Sequence, residues 1–162
     1  MARRSLREKL YARGALPTKV RGRSTRALGV ILKSPHLEFS STAFPAVPGE
    51  DEATNPGITG KALAEWLSMQ LRTDGYDPTG VIAEDFGWCV PIKTGGYKVF
   101  VACASASSDA STWRVFAFAD GGVLTRLVGK DTRSDAVAEV YSRIKEILVR
   151  SPDVHDLTVK RT

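Results

Sequence analysis

Two acids, two aromatic rings, a glycine and a thiol stand in a row at Glu84-Asp85-Phe86-Gly87-Trp88-Cys89. Read as part of one strand over Gly80–Lys93, the segment sends Glu84, Phe86 and Trp88 to one face and Asp85 and Cys89 to the other. A carboxylate beside large apolar rings has its charged form disfavoured, and the raised pKa is what a general acid needs. Glu84 or Asp85 is therefore the candidate for acid–base work in an enzyme, although nothing specifies a reaction. The competing reading leaves both acids in water at the strand entrance and packs the rings under a helix, since apolar aromatic positions usually belong to the core. No residue is assigned a catalytic role.

The second acidic feature is Glu50-Asp51-Glu52. With Glu84, Asp85 and Trp88 it can form an acidic face for a basic protein partner, because complementary charge governs on-rate and partner choice. Acids just ahead of a helix also complement the positive end of its dipole. Hard cations need oxygen ligands at defined loop spacings; none is present, so no metal or other cofactor is expected. Cys89 and Cys103 fall on strands that can be neighbours, within possible reach of a disulfide. Without a secretory signal, free buried thiols are the expectation. His36 and His155 lie far in sequence from either thiol, which argues against a Cys–His pair. The spacings of nucleophile elbows, dinucleotide-binding loops, P-loops and helical zinc-protease motifs do not occur.

The formal charge of +5 over 162 residues averages two opposite parts. Residues 1–33 hold ten basic side chains and one acid, Glu8; residues 34–162 hold thirteen basic and seventeen acidic ones. Leu6, Leu10, Tyr11, Leu16 and Val20 are too few to build a core in the first part, and Gly14, Pro17 and Gly22 interrupt any long helix. Ordering a backbone costs about 1–2 kcal/mol per residue, so residues 1–33 are expected to form a disordered basic arm. Arg3, Arg4, Arg7, Arg13, Arg21, Arg23 and Arg26 would be its contacts to nucleic acid, through counterion release. A targeting peptide and a plain solvated tail are the other readings of the same composition.

The elements that must position these groups read as follows. His36–Phe44 alternates and predicts a first strand. Asn55 and Pro56 suit the N-cap and first position of a helix running to Arg72, with Leu63, Trp66, Leu67 and Leu71 as its inward stripe. Gly80–Lys93, Tyr97–Ser105 and Thr112–Ala119 read as three strands, the first two joined by the hairpin signal Thr94-Gly95-Gly96. Val123–Val128 is a short strand or a turn. Arg133–Arg150 is an amphipathic helix with Val137, Val140, Ile144, Ile147 and Leu148 at 3–4 spacing, and Val154–Lys160 a final strand. The order β-α-β-β-β-α-β predicts an α+β domain over residues 34–162, a mostly antiparallel sheet with two helices packed on one face.

From His36 to Cys103 the chain resembles an uncharacterised family of small bacterial proteins, through HLEF (36–39), PGEDEATNPG (48–57), GKALAEWL (60–67) and EDFGWCV (84–90). No activity is established for that family, so the resemblance implies a bacterial, cytoplasmic protein and no reaction. Small α+β domains with an acidic surface and such a strand are also similar to immunity proteins that neutralise toxins, a pattern from which the basic arm departs. The resulting expectation is a non-enzymatic, immunity-like or adaptor-like domain that meets a basic protein through Glu50, Asp51, Glu52, Glu84, Asp85 and Trp88. A nucleic-acid-associated protein docking through its arm is the alternative, and an enzyme using Glu84 or Asp85 the third. No apolar run is long enough to span a membrane.

Overall fold

Alternation along Thr112–Ala119 sets the layering. Trp113, Val115, Ala117 and Ala119 are buried, and Arg114, Phe116 and Phe118 between them are half-buried. Successive side chains of a strand point to opposite faces, so along this strand one face is closed over and the other only half-covered among the described residues. The computed structural model describes residues 32–95, 97–108, 110–119 and 132–161. In chain order it contains β1 (Leu32–Lys33), β2 (His36–Ser40), α1 (Lys61–Thr73), β3 (Asp77–Pro78), β4 (Ile82–Glu84), β5 (Gly87–Thr94), β6 (Tyr97–Ser105), β7 (Thr112–Ala119), α2 (Thr132–Arg150) and β8 (His155–Lys160). The sheet runs β3–β5–β6–β7–β2–β8, with β1 also on β7 and β4 also on β5. All these pairings are antiparallel, which gives the expected α+β architecture.

Helix α1 lies against β5, β3 and β6, and α2 against β7, β6 and β1. The α1 stripe of Leu63, Leu67 and Leu71 and the α2 stripe of Val140, Ile144, Ile147 and Leu148 share one core with Val90, Ile92, Val99, Val101 and Val115. Each such side chain, fully buried, is worth about 1.5–3 kcal/mol. The Arg150 guanidinium closes the far end of the helix pair, donating to both carboxylate oxygens of Asp74 at 2.9 and 2.8 Å. The indole N–H of fully buried Trp113 donates to the Ser41 carbonyl at 3.0 Å, so its burial leaves no polar group orphaned.

Three expectations shift. Helix α1 starts at Lys61, six residues after the Asn55 signal, because the Asn55 N–H is held by the Asp85 carbonyl at 2.8 Å in a loop. The strand expected over Gly80–Lys93 is a hairpin: Glu84 pairs with Gly87, and Asp85-Phe86 forms the turn. Phe86 therefore leaves the face that Trp88 occupies. Leu32 and Lys33 belong to the sheet, paired with Ala119 and Phe118, so the last two residues of the stretch read as arm are strand. Between β1 and β2, Ser34 replaces the interrupted ladder: its N–H donates to the Ala117 carbonyl at 2.8 Å and its hydroxyl accepts from the Ala117 N–H at 2.9 Å. The segment Val123–Val128 lies outside the described residues.

Candidate functional site: the groove on the open face

Pairing of β7 with β1, β2 and β6 brings Lys33, His36, Phe100, Arg114, Phe116 and Phe118 onto the face that carries neither of the described helices. The rings form a continuous floor. Phe100 stacks on Phe118 at 5.1 Å between centroids and 15°, and Phe116 lies 5.9 Å from Phe118. Phe86, delivered by the β4–β5 turn, stands 6.0 Å from Phe118 and 6.3 Å from Phe116 and is 45% exposed. The loop residues Asn55, Pro56 and Ile58 supply the opposite wall of a groove of about 590 Å3. Two glycines let this end of the molecule close. A Cβ on Gly60 or Gly87 would stand 2.7 or 2.6 Å from the Cys103 carbonyl oxygen, and their φ values of +149° and +145° suit glycine.

The polar groups of the groove are cationic or neutral. The Lys33 ammonium lies 4.3 Å from the centre of the Phe116 ring, an attractive cation–π geometry. The His36 ring stacks on Phe116 at 4.6 Å and 24°. His36 is buried, and its Nε2 meets no hydrogen-bond partner among the described residues. Burial first, then the charges of Lys33 and Arg114, hold the His36 pKa below its ordinary value, against the opposing pull of Glu38. Burial and Arg114 likewise lower the pKa of Lys33. Arg114 is held by Glu38, whose Oε1 accepts from Nε at 2.9 Å and Nη2 at 2.7 Å. No carboxylate lines the groove among the described residues.

The residues expected to form an acidic face are distributed differently. Glu50 is buried: Oε2 accepts from the Lys61 N–H at 3.0 Å and Oε1 from the Gly60 and Val47 N–H groups at 3.4 and 3.3 Å. It caps α1, which Gly60 cannot do with a side chain. Glu84 is also buried, on β4 beside the turn, and Trp88 is buried on the helix side with the Lys61 ammonium 5.4 Å from its ring. Asp51 is half-buried and accepts from the Gly57 N–H at 3.1 Å; Glu52 is exposed, and Asp85 half-buried. Burial thus corrects the expectation that Glu50 and Glu84 are surface acids. The Asn55–Asp85 hydrogen bond does bring the loop of Asp51 and Glu52 to the turn of Asp85. Arg3, Arg4, Arg7, Arg13, Arg21, Arg23 and Arg26 lie outside the described residues.

Cys89 and Cys103 are free and buried. Register pairs Cys89 with Ala102 and Trp88 with Cys103, so the thiols point to opposite faces of the sheet. Burial pushes both thiol pKa values up, and a protonated thiol is a poor nucleophile. Among the described residues no three His, Cys, Asp or Glu side chains gather to hold a metal ion, and no helix is long and apolar enough to cross a membrane. Sequence reasoning missed Lys33, His36, Arg114 and the ring pair Phe116–Phe118 as a site. The available signal was apolar character on both faces of β7, which marks a strand whose second face also has something to meet. No family model, curated protein or solved structure matches the chain.

Proposed function

We propose that the chain is a binding domain whose working surface is the groove on the open sheet face, and that it takes a small, largely apolar ligand there. The observation that carries this reading is the groove itself, about 590 Å3 of space walled by Phe86, Phe116 and Phe118. Sites for small molecules span about 300–1,000 Å3, are mostly apolar, and present a few convergent polar groups. The test is titration of the full chain with the neutral dye N-phenyl-1-naphthylamine, whose fluorescence rises in apolar surroundings. A saturable rise is expected, and Phe86→Ser weakens it at least about fivefold while leaving circular dichroism unchanged. No saturable rise, or a Phe86→Ser titration equal to the parent's, refutes the reading.

A second reading keeps a basic protein as partner, met by Glu52, Asp51 and Asp85. The Asn55–Asp85 hydrogen bond favours it, by uniting the two loops that carry these acids. Reversing Glu52 and Asp51 to Lys would abolish capture of such a partner and leave dye binding intact.

A further inference from the structure

We infer that the ligand of the groove is a planar aromatic monocarboxylate, its ring against the Phe116–Phe118 floor and its carboxylate between Lys33 and His36. This rests on the groove being the working surface, and it adds the chemistry of the guest. Three observations point to it. First, the floor is built of ring faces, with His36 on Phe116 and Phe100 on Phe118 both within 24° of parallel. Flat guests stack offset on such surfaces with an attraction beyond the area they bury.

Second, the charge around the groove is unbalanced. Lys33 and Arg114 are the ionised side chains among its described lining residues. Arg114 already has Glu38, whereas Lys33 meets a ring and pairs with no acid among the described residues. Burial first, and neighbouring positive charge after it, lower the pKa values of Lys33 and His36, with Glu38 pulling His36 the other way. A bound carboxylate would supply the missing charge beside the exposed Lys33 ammonium and the buried His36 ring, through a charge-assisted hydrogen bond. One ammonium without an acid partner among the described residues suits a monoanion; a phosphate dianion would call for a second.

Third, His36 Nε2 is a buried polar atom without a partner among the described residues, and buried polar atoms in native proteins are nearly always satisfied. A small turn of the ring towards the groove would expose Nε2, and in the tautomer protonated there the neutral ring would donate to a carboxylate oxygen.

The experiment titrates the full chain with sodium 2-naphthoate and with its neutral isostere 2-naphthamide, each read by displacement of N-phenyl-1-naphthylamine and by amide NMR shifts. Naphthoate is expected to bind at least about tenfold tighter than the amide. Lys33→Met, which keeps the apolar stem, is expected to bring the two within about twofold, and Lys33→Arg to retain the preference. Equal affinities for acid and amide, with the dye still bound, overturn the carboxylate and leave the groove standing. Failure of dye, acid and amide alike overturns both. A single-stranded oligonucleotide that displaces the dye more tightly than naphthoate, or a dimer that Phe86→Ser dissolves and naphthoate does not, reassigns the face and overturns the proposal.

Discussion

Glu50 shows how a residue that looks like surface charge can be the hinge of a local structure. Its carboxylate takes the N–H groups of Gly60, Lys61 and Val47, joining a loop to the start of α1 across eleven residues of sequence. Loss of a capping side chain costs about 0.5–2 kcal/mol, and hydrogen bonds to a charged group sit at the upper end of what such bonds contribute. Glu50→Ala should therefore destabilise by about 2 kcal/mol in urea unfolding, and Glu50→Gln, which keeps one acceptor oxygen, by less. His36 offers a second check at this scale. Its folded pKa is held below the ordinary 6.5, so the unfolded chain takes the proton first as pH falls. Its contribution is steady above about pH 6.5, declines as pH falls from there towards the folded pKa, and levels off beneath it. His36→Gln should flatten that part of a stability–pH profile; an unchanged slope would mean that the imidazole is not the group responsible.

At the level of elements, Gly60 and Gly87 converge on the Cys103 carbonyl from α1 and from the β4–β5 turn. An added methyl at either meets backbone that cannot step aside, at a φ value that side chains rarely adopt. Gly87→Ala and Gly60→Ala should each cost more than about 2 kcal/mol, while Gly57→Ala, with φ +80° but open space around it, should cost about 1 kcal/mol. Equal denaturant midpoints for all three variants would show that the close approach does not matter. The same elements show what periodicity can reveal. The 3–4 spacing of α2 and the alternation of β6 and β7 are local patterns, and both were legible. The start of α1 was not, because its cap comes from Glu50 and not from the neighbouring Asn55-Pro56. The Asp85-Phe86 turn was also hidden: Phe86, Trp88, Val90 and Ile92 keep an even spacing straight through a chain reversal. That even spacing fits a core position for Phe86, and the groove it walls depends on β1, β2 and β7 adjoining, which no local pattern encodes.

Across the whole molecule, positive charge is concentrated at the start of the chain and the helices take one side of the sheet. These two asymmetries are separable. Nine of the basic residues and one acid precede Leu32, so a chain beginning at that residue keeps fourteen basic and seventeen acidic side chains and changes from +5 to −3. It would also keep β1, whose Lys33 belongs to the groove. If the arginines before Leu32 contact nucleic acid, each phosphate neutralised adds about one unit to the slope of log affinity against log salt. Retention on single-stranded DNA should then fall steeply with salt for the full chain and vanish for the shortened one. Dye binding in the groove depends on the aromatic floor and should be equal in the two. Retention that survives removal of the residues before Leu32 would instead place nucleic acid on the sheet face, where rings and cations already stand together as bases and phosphates require.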